Sequence, residues 1–350
     1  MKAKKIELIY LRAVTCMIII FTHLLTEYMR QINGNQIEQL KLIYYVQNIF
    51  IFGTPSFMIL TQLLTTLNYT NVTLAYLWGR IKYIFLPYIL IGTFYCFSES
   101  KITQTPFLKQ CYENLILGRW HGYFIIVIMQ FALLSYVLFK ISPRIFDSKL
   151  ILALSFALQY SFLHLLNTNQ AFSQNFKTFY PLSENTFLIG WIFFFFLGAY
   201  IGRNYPIIVQ FLMHYVFIVI LLTMLAFLAF VLNQQHNYWN VTSFNENLIF
   251  YHLFMFLLLL ALCLQFKQVM FDSVNLVSAF SFFIYLFHPI VLSSLYEYFK
   301  NFSDLTFVFI GISLLFTLGI CIGVGLLLRE FKIFRFVIGK QPYHLKINLT

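Results

Sequence analysis

Apolar runs of about 20 residues, the length of helix that crosses a bilayer, recur from one end of this chain to the other. Inside hydrocarbon such a run can satisfy its backbone only by closing its own hydrogen bonds, so each run dictates a helix. Spans are expected at about 8 to 28, 42 to 64, 78 to 97, 121 to 141, 149 to 166, 187 to 202, 207 to 232, 248 to 264, 276 to 295 and 305 to 328. The fifth and sixth are short and abut polar segments, so a tilted or re-entrant piece could stand in for either. Apolar residues make up 60% of the 350 and charged residues 10%, with a mean hydropathy of +0.78, which excludes a soluble domain. The expected fold class is all-α: a polytopic membrane protein of about ten helices.

The basic residues orient that bundle. Fifteen of the 23 Lys and Arg fall on one side of the expected spans and seven on the other, with Arg12 inside the first span. Basic residues collect on the cytoplasmic side, so both termini are expected there. The net charge of +11 then reflects anchors at an anionic lipid surface. Nucleic acid is excluded as a partner, because no soluble basic domain is present to hold it. Lys2, Lys4 and Lys5 ahead of the first run imitate a signal peptide. The run is long, however, carries Glu7 and Arg12, and has no small-residue cleavage site before Glu27, so it reads as an uncleaved first helix. The cysteines 16, 96, 111, 263 and 321 lack ligand spacing, read as small core residues, and imply no metal. Gly339-Lys340 lacks the upstream glycine and the hydroxyl residue of a phosphate-binding loop, and no nucleophile elbow occurs. With no internal repeat and no long linker, residues 1–350 are expected to form a single membrane domain.

Arg12 and His23 stand out because both lie within the apolar run Leu8 to Leu25. Eleven residues apart, they project from one helix face about 16 Å from each other. An Arg near the middle of a spanning helix costs about 2.5 to 3.5 kcal/mol, so this face is expected to meet a wet cleft or a partner rather than lipid. Glu27 follows His23 by one turn, where a carboxylate can raise the basicity of the imidazole and hold its tautomer, as a general base requires. The plainer alternative for His23 is an interfacial histidine.

The ninth span offers a second polar face, Ser281, Tyr285 and His288 at spacings of four and three, with Pro289 expected to kink it. These are cavity candidates; a structural bond from His288 to a neighbouring helix is the alternative. Arg80 and Lys82 open the third span ahead of Pro87, a cationic pair suited to phosphates and equally to snorkelling. Trp120 and His121, before the fourth span, and Glu184, before the sixth, are expected on the outer side as further acceptor candidates. The outer loops at roughly 29 to 41, 98 to 120, 167 to 186 and 233 to 247 are rich in Asn, Gln, Ser, Thr, Tyr and Trp. Such side chains suit a carbohydrate, which binds through hydroxyl hydrogen bonds and aromatic faces, although any one of these loops also reads as ordinary solvated chain.

Arg12 followed by ten residues and His23, Trp120 to Phe131, Gly198-Ala-Tyr-Ile-Gly202 and Ser281 to Pro289 together resemble the multipass acyltransferase type 3 family, over essentially the whole chain. That resemblance implies O-acylation of bacterial surface glycans, with an acyl-CoA thioester as co-substrate and no permanently bound cofactor. Many family members carry Arg-x-x-Arg before the proline of the third helix; here the second position is Tyr83, with Lys82 beside it. Further segments, among them Phe52-Gly-Thr-Pro, Tyr180-Pro-Leu-Ser-Glu-Asn and Tyr238-Trp-Asn-Val-Thr-Ser-Phe, resemble proteins that serve production of poly-β-1,6-N-acetylglucosamine, the biofilm polysaccharide of staphylococci. This implies that polymer as the partner, a bacterial cell membrane location, and a glycan synthase partner alongside.

Two functions are in view. As a transferase, the chain would take an acyl group, of which succinyl is the expected one, from a cytoplasmic thioester held by Arg80 and Lys82, with Arg12 at the donor and His23 at the sugar hydroxyl. As an exporter it would enclose the nascent glycan and do no acyl chemistry. A polymer path should show polar residues through the bilayer depth of several helices, whereas the intramembrane polar groups concentrate on the first and ninth spans, which favours a local site.

Overall fold

A computed structural model describes residues 5–31, 37–233, 241–266, 268–298 and 306–339. Every regular element among them is helical. In chain order these are α1 (Ile6–Gln31), α2 (Ile37–Phe50), α3 (Gly53–Asn68), α4 (Leu74–Arg80), α5 (Leu86–Thr103), α6 (Phe107–Cys111), α7 (Tyr123–Ile141), α8 (Lys149–Thr168) and α9 (Gln170–Phe179). There follow α10 (Ile192–Arg203), α11 (Tyr205–His214), α12 (Val216–Asn233), α13 (Ile249–Gln265), α14 (Phe271–Tyr298), α15 (Thr306–Glu330) and α16 (Arg335–Ile338). Among the described residues nine helical stretches are long and apolar enough to cross a membrane, and the pair Leu188–Arg203 and Tyr205–His214, bent by 91°, makes ten if it counts as one. Residue 240 and the basic positions 2, 4, 267, 300, 340 and 346 lie outside the described residues.

The seventh expected span, read as one helix over 207 to 232, is corrected to α11 and α12, which part at Tyr215, where the backbone leaves helical geometry at φ −115° and ψ 29°. The chain also turns a corner ahead of α11: Asn204 leaves helical geometry at φ −103° and ψ 25°, Pro206 has no N–H with which to continue the ladder of α10, and Arg203 of α10 is paired to Asp147 at 3.1 Å. The third span is a composite. Pro87 cannot donate to the carbonyl of Tyr83, and over Ile81–Phe85 the chain widens into a π turn, the Leu86 N–H reaching back to the Ile81 carbonyl, before α5 resumes. The outer segments are not plain loops: 98 to 120 holds α6 and a second π turn, and 167 to 186 holds α9.

The described residues fall into two compact units, one built from residues up to Gly53 and from Leu262 onward, the other chiefly from Thr54 to Ala261. In the first, α1 packs along α14, and α14 along α15. Tyr10 meets Phe271, Cys16 donates to the Ser281 carbonyl at 3.5 Å, and the Tyr296 hydroxyl donates to the Leu24 carbonyl at 3.3 Å. The partners rise together along both helices, so α1 and α14 run in the same direction, as the first and ninth spans of an alternating bundle must. α14 continues through Pro289 as one helix.

In the second unit Gly198 and Gly202 face α3. A Cβ at Gly198 would run into the Ile59 carbonyl, and one at Gly202 would stand 2.5 Å from the Leu63 carbonyl oxygen. The Thr66 hydroxyl donates to the Ala199 carbonyl across the seam at 3.1 Å. The segment Gly198-Ala-Tyr-Ile-Gly202 is thus a close-packing seam, of the kind small residues four apart make between membrane helices. At one end of this unit Phe162, Phe172, Phe176, Tyr180, Phe187 and Phe244 interlock, ring centroids 4.9 to 6.4 Å apart. Burying those rings is what turns 167 to 186 into structure.

Gly202→Val drives a branched side chain into backbone and is expected to cost about 3 kcal/mol. Gly319→Ala, on α15 with nothing within 4 Å of its added carbon, is expected to change stability by no more than about 1 kcal/mol, in the stabilising direction. Thermal unfolding of the two variants in detergent checks the contrast.

Candidate functional site

Continuous α1 carries Arg12, His23 and Glu27, all three half-buried. α14 carries Ser281, Tyr285 and His288, all buried, His288 completely. The parallel packing of these two helices places the His23 and His288 rings 5.0 Å apart, tilted by 56°. The Tyr285 ring lies 6.2 Å from that of His288. His288 Nδ1 lies 3.0 Å from the Ile284 carbonyl. A carbonyl oxygen only accepts, so Nδ1 carries a proton and donates it there. His288 is thereby tied to its own helix and held in position beside His23, the kind of support that orients a reactive imidazole. Glu27, one turn beyond His23, is within electrostatic reach of the Tyr296 hydroxyl. Ser281 donates its hydroxyl to the Ser278 carbonyl at 2.9 Å, so this member of the expected polar face is spent within its own helix.

The remaining candidates belong to the second unit. The Arg80 guanidinium lies 4.8 Å over the Tyr76 ring and donates to the Thr65 hydroxyl at 3.3 Å, and that hydroxyl shares a 3.1 Å bond with the Tyr76 hydroxyl. Lys82 lies 5.5 Å over the Tyr83 ring. Both cations are half-buried and stand at the π turn, an irregularity that concentrates at working sites.

Trp120 is buried. Its indole packs against the α-carbons of Gly92 and Gly122, donates to the Tyr88 hydroxyl at 3.2 Å, and lies 4.5 Å from His121. The Tyr88 hydroxyl donates in turn to the Leu115 carbonyl at 3.0 Å. Trp120 is therefore a wall that positions His121, itself half-buried and edge-on to Tyr95 at 5.3 Å. Glu184 pairs with Lys177 at 3.4 Å.

Two polar features escaped the sequence reading. Glu99 accepts from Gln110 at 2.9 Å and from Asn114 at 2.6 Å, which ties α6 and its π turn back onto α5. His252, one turn into α13, is completely buried; a lone histidine between apolar residues carried no spacing signal. Among the described residues no group of three His, Cys, Asp or Glu is placed to hold a metal ion.

These elements define a helical membrane protein with paired histidines inside the bilayer. The chain belongs to the acyltransferase-3 family, whose acyltransferase domain matches residues 5–326, and it is a multi-pass protein of the cell membrane. It is 54% identical over 348 residues to the protein of Staphylococcus aureus (strain MRSA252) named "Probable poly-beta-1,6-N-acetyl-D-glucosamine export protein", covering 99% of both chains. To the protein of the same name from Staphylococcus epidermidis it is 56% identical, covering 99% of this chain and 98% of that one. No solved structure matches it.

Tyr88→Phe leaves the buried Trp120 indole N–H and the Leu115 carbonyl without their shared partner. A loss of about 2 kcal/mol is expected, read as a lower unfolding temperature of the purified protein in detergent.

Proposed function

We propose that this chain transfers an O-acyl group, specifically succinyl, from a cytoplasmic acyl-CoA thioester to hydroxyls of poly-β-1,6-N-acetylglucosamine during export of the polymer. The observation that carries this reading is the contact of His23 with the buried His288, itself bonded to the Ile284 carbonyl, inside the matched acyltransferase domain. A general base must be held in one orientation to take a proton in the transition state, and a buried neighbour bonded to its own helix does that.

In this reading His23 takes the proton of a sugar hydroxyl as its oxygen attacks the thioester carbonyl. The C–S bond breaks as the tetrahedral intermediate collapses, and the CoA thiolate leaves with that proton. Glu27, one turn beyond on the same helix, stands where its carboxylate orients the His23 ring. Arg12, about 16 Å along α1 from His23, does not share the reacting carbonyl with it and holds the donor instead, where low dielectric strengthens its pairing with the succinyl carboxylate. His288 positions His23; Tyr285 and Ser281 belong to its helix face. Arg80 and Lys82 receive the donor's phosphates, with both termini on the same, cytoplasmic side as the donor. Trp120, His121 and Glu184 border the acceptor. A membrane glycan synthase supplies the polymer.

The name borne by the staphylococcal relatives favours a second reading, export without acyl transfer. His23→Ala separates the two. As a transferase, the variant still delivers polymer to the surface, but mass spectrometry finds its O-acyl groups lost. Unchanged acyl content per sugar, with the variant inserted normally, would sink the catalytic role and leave export. Arg80→Ala is expected to raise KM for the acyl-CoA about tenfold with kcat little changed, in a transfer assay on reconstituted protein.

A further inference from the structure

His252 is fully buried, and neither ring nitrogen has a hydrogen-bond partner among the described residues. The Ser243 main chain comes close to the ring without reaching hydrogen-bond geometry. A neutral imidazole has one N–H to donate and one lone pair to offer, and leaving both unmet inside an apolar span is expensive. Meeting that cost takes a polar group from outside the described residues, water or ligand, and His252 differs from other buried side chains in having both of its nitrogens open.

The surroundings say what kind of group that is. The Tyr123 hydroxyl lies beside the side-chain hydroxyls of Ser243 and Thr54. Thr54 and Tyr123 keep partial accessibility while Ser243 and His252 are buried. Three hydroxyls and an imidazole therefore gather where α3, α7 and α13 begin, with His252 innermost. Phe194 stands 6.0 Å from the His252 ring, and Trp191 lies 6.4 Å from Tyr123. The groups named carry no formal charge, so an ionic ligand has no counter-ion among them. Each hydroxyl both donates and accepts, as the imidazole does. Their natural complement is a neutral ligand that also presents several groups able to donate and accept, alongside an apolar face for the rings.

We infer that Thr54, Tyr123, Ser243 and His252 form a subsite for one neutral sugar ring, with His252 hydrogen-bonded to hydroxyl or acetamido groups at its inner end. The identity of that sugar as an N-acetylhexosamine unit of the acceptor polymer rests on the proposed function; the unmet nitrogens do not.

The test uses the full-length chain purified in detergent and a radiolabelled β-1,6-linked N-acetylglucosamine trimer. Wild-type protein and Gly319→Ala, a change on α15 remote from both the subsite and the transfer residues, are expected to bind alike. His252→Phe, which fills the ring's place without polar atoms, is expected to bind about tenfold more weakly. His252→Gln, which keeps a donor and an acceptor, is expected to fall between. Should His252→Phe fail to fold, Thr54→Val removes one hydroxyl at nearly constant shape and is expected to weaken binding severalfold. Undiminished binding by a well-folded His252→Phe, or by both His252→Gln and Thr54→Val, overturns the subsite and leaves water as the partner of His252. Absence of trimer binding by wild-type protein overturns it as well. Acyl content in the His23→Ala strain reports separately on the transfer reading, so either can fall without the other.

Discussion

Hydrocarbon offers a polar group nothing, and most of what is specific in this molecule follows from how its few intramembrane polar groups are met. Along the seam between α1 and α14 the Tyr10 hydroxyl finds the Val269 carbonyl at 2.6 Å, the Cys16 thiol the Ser281 carbonyl, and the Tyr296 hydroxyl the Leu24 carbonyl. Each donor turns to a main-chain oxygen; those of Ser281 and Leu24 lie within helices, whose geometry leaves them a spare lone pair. These contacts hold two long helices in one register. That register puts His23 beside His288, and a slip of one turn, about 5.4 Å, would part the rings.

In the second unit the same constraint is met by closeness rather than by polar side chains. With no Cβ at Gly198 or Gly202, α10 approaches α3 until the Thr66 hydroxyl reaches across to the Ala199 carbonyl. Gly92 and Gly122 make room for the Trp120 indole in the same manner. Around these seams the phenylalanines supply volume: Phe131, Phe146, Phe194, Phe195 and Phe256 are almost wholly enclosed. The Gln62 carboxamide, buried among them, accepts from Ser135 at 3.0 Å. His252 draws attention because, buried completely, it leaves both ring nitrogens without a partner among the described residues.

Much of the membrane architecture was legible in the chain. Apolar length alone located the spans, because a bilayer demands about 20 residues whatever they pack against. Arg12 and His23 announced themselves because charge and imidazole are rare in such a run, and Ser281, Tyr285 and His288 by their recurrence on one helix face. The corner after Arg203 was not legible in the same way. Apolar content continues through Tyr205–His214 while the axis turns by 91°, and hydropathy is blind to direction. Nor were α6 and α9, whose polar composition read as loop until aromatic and amide contacts with neighbouring helices ordered them.

Sequence by itself determined that this is a helical, multi-pass membrane protein and which ionisable residues lie inside it, since both depend only on length, composition and spacing along one chain. Tertiary structure alone decided that His23 and His288, 265 residues apart in the chain, share one contact; that Trp120 is a wall; and that the two glycines of Gly198-Ala-Tyr-Ile-Gly202 are a packing seam. It also singled out His252, which no spacing betrays. The physical reason is common to all four. Each depends on which face of one helix meets which face of another, and helix-to-helix pairing is set by shape and by the satisfaction of buried polar groups, neither of which is written in local sequence.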